Sequence, residues 1–233
     1  MKLFLSMVLG VVLLAGQAGA EEKKVLQTVK EKQSYSMGAD IGARLKAQSI
    51  EVEADAFAQG LKDTLSGGKK LMTDDEIRET LTALQKDLRE KQMERNKVLG
   101  EKNKKEGEAF LAENKKKEGV KTLPSGLQYK VIKEGTGKSP KADDTVVCNY
   151  KGTLIDGTEF DSSYKRGEPA TFPLNQIIPG WTEALQLMKE GAKWQLFIPA
   201  NLAYGEQSTG IIGPNSVLIF EIELISVKEK GKE

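Results

Sequence analysis

The spacing of apolar residues changes near residue 120, and this change limits the chain to a two-part fold. Before it, Ile77, Leu81, Leu84 and Leu88 recur at intervals of three and four residues. After it, apolar and polar residues alternate, as in Thr145–Lys151. A period near 3.6 is typical of amphipathic helices, and a period of two is typical of half-buried strands. The sequence therefore predicts an α+β protein, with helices before residue 120 and a sheet after it.

The second part carries signals for several strands and one short helix. A turn at Asp156-Gly157 leads into a strand at Thr158–Asp161. A helix is predicted at Trp181–Met188, entered after Pro179-Gly180 and ended at Gly191. These elements predict an antiparallel sheet wrapped around the helix. The four longer strands are predicted at Leu127–Lys133, Thr145–Leu154, Lys193–Pro199 and Val217–Lys228.

Two short helices are predicted within residues 28–72, the second of them ended by Gly67. In the first, Ser34, Gly38 and Gly42 form a row of small residues that permits another helix to approach closely. A module this small rarely buries enough apolar surface to be stable alone. We therefore expect it to be completed by a second copy of the chain, as a homodimer.

A third, much longer helix is predicted to begin after Thr73, with Glu76 completing a capping box. Its later part is polar on all sides, but opposite charges recur four residues apart, which stabilises a solvated helix. A helix over Asp74–Asn114 would be roughly 60 Å long. The alternative is a disordered charged linker, which Gly100 and Gly107 favour; we favour a helix, with a bend at these glycines left open.

The N-terminus has the features of a secretory signal peptide. An apolar run at Leu3–Leu14 is followed by Ala18-Gly19-Ala20, a suitable cleavage point before Glu21. An uncleaved anchor is the alternative, but the run is shorter than the about 20 residues that span a membrane. We expect an exported protein in the periplasm, with an association to the outer membrane or cell surface left open. The predicted divisions are a signal peptide at 1–20, a helical dimerisation module at 21–72, a connecting helix at 73–119 and a catalytic domain at 120–233.

Composition excludes several classes of function. The 35 basic and 34 acidic residues nearly cancel, so there is no electrostatic reason to expect nucleic acid or an anionic membrane as a partner. With no His and one Cys, the chain lacks the usual ligands of transition metals and the usual catalytic pairs. We expect no metal and no cofactor. Cys148 alternates with Val146 and Tyr150, which predicts a buried side chain rather than a reactive thiol.

Aromatic residues instead mark a candidate pocket. Tyr150, Phe160, Trp181, Tyr204 and Phe220 stand at intervals that alternating strands can bring together. A pocket lined by aromatic rings, with no nucleophile or imidazole, suits chemistry that makes and breaks no covalent bond. Rotation about a prolyl peptide bond is such chemistry. Taken singly, each of these residues is more typical of a hydrophobic core than of a site.

Residues 120–228 resemble the FKBP-type peptidyl-prolyl cis-trans isomerases, through several motifs in the order and spacing of that family. The segment Tyr35–Gly42 is also similar to the exported, dimeric subgroup typified by the macrophage infectivity potentiator, in which a long helix separates two isomerase domains. The matching motifs are Leu154–Ser163, Ile177–Trp181, Ala203–Gly205 and Leu218–Leu224.

The resemblance implies the site and its partners. Trp181 would form the floor under the proline ring, the Ile178 N–H and the Tyr204 hydroxyl would donate to substrate carbonyls, and Asp161 would lie near the prolyl amide. The partners implied are proline-containing unfolded or exported polypeptides and macrolide inhibitors. The implied catalytic residues are Tyr204, Asp161, Phe160, Ile178 and Trp181; the implied substrate-binding residues are Tyr150, Arg166, Phe172, Ile177, Ile211, Ile212 and Phe220.

The sequence departs from the family pattern at two places. Ala170 replaces an aromatic residue that many members carry, and the segment Glu206–Gly213 lacks a loop-tip His found in some relatives. Both changes bear on substrate preference.

The alternative functions are a dimeric periplasmic chaperone and a surface binding protein, in which isomerase activity is secondary.

Overall fold

The computed structural model describes residues 25–229. The predicted signal peptide therefore lies outside the described residues. None of the helices within 25–229 is both long and apolar enough to cross a membrane. The described residues up to Thr73 form one compact unit, and those from Asp74 onward form another.

The first unit contains helix α1, Val29–Ala47, and helix α2, Ala54–Ser66. Thr28 and Glu31 form a capping box at the start of α1. Gly67 ends α2 with a φ of 65°, the left-handed conformation that glycine adopts without steric cost. No residue of either helix is buried. Their apolar side chains are thus left exposed within the single chain.

The second unit begins with helix α3, Asp74–Asn114. The predicted helix is confirmed, and the alternative of a disordered linker is wrong. Charge pairing of the predicted kind is present, for example between Asp87 and Lys91 at 2.8 Å. Gly100 and Gly107 are buried residues of α3 rather than chain breaks.

A seven-stranded antiparallel sheet follows, with strands β1 Val120–Thr122, β2 Gln128–Lys133, β3 Thr145–Thr153, β4 Glu159–Ser162, β5 Ala170–Pro173, β6 Lys193–Ile198 and β7 Leu218–Lys228. Six of them lie in the order β1-β2-β6-β7-β3-β4, and β5 pairs with β3 outside this order. Strand β3 is central, because it pairs with β7 along one edge and with both β4 and β5 along the other.

Two helices lie between the strands in the sequence: α4, Ser163–Arg166, and α5, Pro179–Leu187. The predicted helix is α5, but it begins two residues earlier because Pro179 occupies a first-turn position where proline is tolerated. Trp181, Leu185 and other residues of α5 are buried against the inner face of the sheet. Strands β1 and β5 and helix α4 were not predicted; each has only three or four residues.

Candidate active site

Trp181 lies at the centre of an aromatic cluster, in the first turn of α5. It is 4% exposed, and its indole N–H has no hydrogen-bond partner among the described residues. The rings of Tyr150 and Phe172 meet the indole edge-on, at centroid distances of 5.1 and 5.5 Å. Phe220 does the same from β7 at 5.1 Å. Edge-to-face packing of this kind is favourable and fixes the orientation of each ring.

A second wall is built by Phe160 of β4, whose ring meets that of Phe220 at 5.4 Å and 83°. Gly152 of β3 makes this contact possible. A Cβ atom at Gly152 would lie only 2.6 Å from the Phe160 ring and 2.8 Å from the Phe220 ring. A glycine is therefore required between the two aromatic walls.

Three polar side chains form one edge of the cluster. Tyr150 donates its hydroxyl hydrogen to Asp161, and Arg166 forms an ion pair with the same carboxylate. Arg166 also donates to the Tyr150 hydroxyl at 2.7 Å, so the three groups close a triangle. The backbone N–H of Ser162 donates to Asp161 at 2.8 Å. Asp161 is thereby fixed in position at the rim.

Hydrogen bonding determines the charge of this edge. Burial opposes ionisation of Asp161, but the bonds from Tyr150 and Arg166 outweigh it, and the pKa of the carboxyl lies below its ordinary value. Burial and the bond to Asp161 raise the pKa of the Tyr150 hydroxyl. Near neutral pH, Asp161 is an anion and Tyr150 is a neutral donor.

Two further donors border the pocket. Tyr204 follows the short 3-10 helix Ala200–Leu202 and is 38% exposed. Ile178 precedes α5, and its carbonyl accepts from the N–H groups of Trp181 and Thr182. The N–H of Ile178 itself donates to no other atom of residues 25–229. It is available to a ligand.

Comparison with known proteins identifies this arrangement. Residues 136–225 match the family described as FKBP-type peptidyl-prolyl cis-trans isomerase, and residues 30–131 match the domain amino terminal to it. The outer membrane protein MIP of Legionella longbeachae is 49% identical over 230 residues, 98% of each chain. The chain belongs to the FKBP-type peptidyl-prolyl cis-trans isomerases. The family predicted from the sequence is confirmed.

Other relatives agree on both activity and fold. The peptidyl-prolyl cis-trans isomerase Mip of Coxiella burnetii is 48% identical over 206 residues, covering 88% of this chain and 90% of that protein. The crystal structure of FkpA from Escherichia coli has a TM-score of 0.65 at 40% identity, covering 88% of this chain and 99% of that one. These relatives favour the isomerase over the binding-protein alternatives.

The isomerase has a pocket of about 420 Å³ above Trp181. Most of the predicted site residues line it. Gln176 lines it too and was not predicted, because a single glutamine in a connecting segment gives no sequence signal. The pocket is lined by Tyr150, Asp161, Phe172, Gln176, Ile177, Ile178, Trp181, Tyr204 and Phe220.

Four predicted residues lie outside this lining. Phe160 and Arg166 support it through Phe220 and Asp161. Ile212 is 5% exposed and belongs to the hydrophobic core. Ile211 is 59% exposed and borders a separate groove of about 280 Å³ beside α3. Ala170, on β5, packs against the core rather than into the pocket lining.

The described residues contain no group of three or more His, Cys, Asp and Glu side chains placed to hold a metal ion. This site can therefore bury an apolar ring and donate hydrogen bonds, and it presents one fixed negative charge.

Proposed function

We propose that the pocket above Trp181 binds the proline ring of an exported polypeptide and lowers the barrier to rotation of the preceding peptide bond. The observation that supports this most is the conjunction of an apolar floor, made by Trp181, with two donors at its border, the Tyr204 hydroxyl and the Ile178 N–H. A proline ring is apolar, while the peptide groups before and after it each carry a carbonyl acceptor.

The size of the barrier determines what the pocket must do. Rotation of a peptide bond costs about 18–20 kcal/mol, because amide resonance is lost in the twisted state. A useful catalyst must remove roughly 4–8 kcal/mol, since each 1.4 kcal/mol is about tenfold in rate. The planar amide is more dipolar than the twisted one. A dry aromatic surround therefore favours the twisted state, which is differential binding of the transition state.

The polar residues would hold the amide in place. Ile178 and Tyr204 donate to carbonyls of the substrate, which fixes the chain on both sides of the rotating bond. Asp161 faces the prolyl amide, held by Tyr150 and Arg166. The remaining residues complete the apolar surround: Phe160, Phe172, Ile177 and Phe220 as walls, with the exposed Ile211 contacting the flanking chain. Ile212 is buried in the hydrophobic core and supports this segment from within.

The experiment is turnover of a short Ala-Xaa-Pro-Phe peptide by the purified protein and its Tyr204→Phe and Asp161→Ala variants. Loss of the hydrogen bond to a substrate carbonyl, or of the carboxylate beside the prolyl amide, should lower kcat/KM by about tenfold. Tyr164→Phe is the matched control, because Tyr164 is exposed on α4 and does not line the pocket. Unchanged kcat/KM in both site variants would refute the assignment of these residues.

The helical unit is proposed to form the interface of a homodimer. Tyr35, Phe57 and Leu61 are 66, 45 and 52% exposed in the single chain, which is unusual for large apolar side chains on two amphipathic helices. A second copy would cover them. The row formed by Gly38 and Gly42 has no atom within 4 Å of an added Cβ, which leaves room for close approach of another helix.

Two further assignments follow from the same pocket and the relatives. A macrolide that places an apolar ring on Trp181 would compete with the substrate for this surface, and inhibition of peptide turnover by such a compound tests this. The periplasm, with an association to the outer membrane, is the proposed location; the relative from L. longbeachae is named an outer membrane protein. Fractionation of the native host tests the location.

A further inference from the structure

The second half of α3 packs against the isomerase domain through one stripe of residues. Gly100, Asn103, Gly107, Phe110 and Asn114 recur at intervals of three and four, which places them on one face of the helix. Gly100, Gly107 and Asn114 are the buried residues of α3. This face is therefore a contact surface, while the rest of the helix is solvated.

The C-terminal end of the stripe anchors the helix to the sheet. The rings of Phe110 and Phe197 lie 6.0 Å apart. Asn114 donates to the Gln128 side chain at 3.0 Å, and Gln128 donates in turn to the Leu111 carbonyl at 2.9 Å. Both amide side chains are almost fully buried, at 1 and 4% exposure. This part of α3 is fixed relative to strand β2.

The other end of the stripe holds the segment 213–217, which follows the loop after Tyr204. The Asn103 side-chain amide donates to the Pro214 carbonyl at 2.8 Å and lies 3.3 Å from the Ser216 hydroxyl. A Cβ atom at Gly107 would lie 2.7 Å from Val217. The backbone of α3 therefore lies directly against the side chains of this segment, and only small residues on the helix allow this approach.

Asn215 connects this contact to the pocket. Its φ is 56°, a left-handed conformation that is uncommon for a residue other than glycine. Its side chain donates to the Gly100 carbonyl of α3 at 3.4 Å, and its backbone N–H donates to the Gly205 carbonyl at 2.7 Å. Gly205 directly follows Tyr204. Two hydrogen bonds of Asn215 thus connect the helix to Gly205, the residue next to Tyr204.

We propose that α3 positions Tyr204 in the isomerase site, with Asn103 and Asn215 as the positioning residues. Asn103 holds the 213–217 segment against the helix, and Asn215 ties that segment to Gly205 and so closes the base of the loop. The second half of α3 then contributes to the geometry of the catalytic site and is more than a spacer. This inference rests on the proposed role of Tyr204 as a donor to the substrate.

The test compares Asn103→Ala and Asn215→Gly with wild type in the full protein. Glycine adopts a positive φ readily, so Asn215→Gly removes only the side-chain bond to Gly100. Asn96→Ala is the matched control, because Asn96 lies two turns earlier on α3 and bonds to Gln92 of the same helix. The measurements are kcat and KM for a short Xaa-Pro peptide, the melting temperature, and hydrogen exchange of the Gly205 and Asn215 amides.

We expect KM to rise about threefold to tenfold in both variants, with kcat within about twofold, because a displaced donor weakens substrate binding. Exchange of the Asn215 amide should accelerate in these variants and stay at the wild-type rate in Asn96→Ala. If Asn103 and Asn215 only stabilised the fold, replacing them would lower the folded fraction, and hence kcat, at an unchanged KM. That outcome would overturn the proposal.

A double variant separates this inference from the proposed site. In a Tyr204→Phe background, Asn103→Ala should change KM less than twofold, because the residue that it positions no longer donates. An equal effect in both backgrounds would overturn the coupling to Tyr204. Failure of the proposed site has a different signature, namely full activity of Tyr204→Phe alone.

Discussion

The indole of Trp181 and the ring of Phe220 meet edge-on, with centroids 5.1 Å apart and planes inclined at 82°. Phe220 lies on β7 and Trp181 on α5, so this contact joins the sheet to the helix that it surrounds. Phe220 also meets Phe160 edge-on. The floor and the walls of the pocket are therefore one packed unit, and a change in one ring displaces the others.

Replacement of Trp181 by Leu should lower both stability and activity. Truncation of a buried tryptophan costs about 3 kcal/mol or more in the free energy of unfolding. Loss of the floor should also lower kcat/KM more than about tenfold, or 1.4 kcal/mol of transition-state stabilisation. Trp194→Leu is the control, because Trp194 is equally buried but stacks on Tyr129, outside the pocket. Chemical denaturation and peptide turnover of the folded variants should show equal destabilisation but lost activity only for Trp181.

Replacement of Gly152 by Ala should displace the aromatic walls. The added methyl group would lie 2.6 Å from Phe160 and 2.8 Å from Phe220, well inside van der Waals contact. Overpacking of this kind costs roughly 1–3 kcal/mol, and the rings would have to move into the pocket or apart. Peptide turnover should fall. Gly60→Ala, where nothing lies within 4 Å, should instead raise helix stability by up to about 1 kcal/mol without changing turnover.

The ion pair of Asp161 predicts a specific acid dependence of stability. The pKa of this carboxyl is lower in the folded state than its ordinary value of 3.8, so the unfolded state binds the proton first as pH falls. The stabilisation is complete above the ordinary value and is lost as pH falls through the folded-state value. The stability difference between wild type and Asp161→Asn should therefore be largest near neutral pH and shrink below about pH 4. Urea denaturation at a series of pH values measures it; a difference independent of pH would contradict the pKa shift.

Cys148 should be inert in the folded protein. Its side chain is fully buried on β3, and burial raises the pKa of the thiol to about 12. Since the thiolate is the reactive form, a thiol reagent at pH 8 should modify Cys148 only when the protein unfolds. Reaction of the native protein at the rate of a free thiol would show that β3 opens locally. If Cys148 is unreactive in the native protein, its modification measures global unfolding.

Periodicity and motif order were sufficient to predict much of this fold. Alternation in Thr145–Lys151 predicted which side chains face the core, because successive residues of a strand point to opposite faces. The pocket aromatics stand in ordered motifs, so Trp181 and Phe220 could be named before the structure. Strand β5 could not, because four residues ending in Pro173 carry too little periodic signal.

The glycines of α3 show why local patterns fail at long-range contacts. Gly100 and Gly107 suggested a bend or a break, since glycine weakens an isolated helix. Their function depends on Pro214 and Val217, more than 100 residues later in the chain. No sequence pattern within the helix indicates that Pro214 and Val217 lie against it. Ile211 and Ile212 are a similar case: adjacent in sequence, one is exposed and the other is buried.

The proposed homodimer predicts the effect of a bulky residue on α1. Gly38 has no neighbour within 4 Å of an added Cβ in the single chain, so Gly38→Leu creates no clash there. Leucine is also a better helix former than glycine by about 0.8 kcal/mol, which excludes helix weakening as a cause of any loss. Against a closely packed partner helix, the same side chain would collide. Sedimentation equilibrium should show a dimer for wild type and a monomer for Gly38→Leu, with peptide turnover per chain unchanged.

Ser36→Leu is the control for this prediction. Ser36 lies about 200° around α1 from Gly38, given 100° per residue, and its hydroxyl bonds to the Lys32 carbonyl of the same helix. The same bulk on that side should leave the dimer intact. A wild-type monomer at micromolar concentration, or a Gly38→Leu variant as dimeric as wild type, would refute the small-residue interface. Dissociation by both variants would place the contact elsewhere on α1.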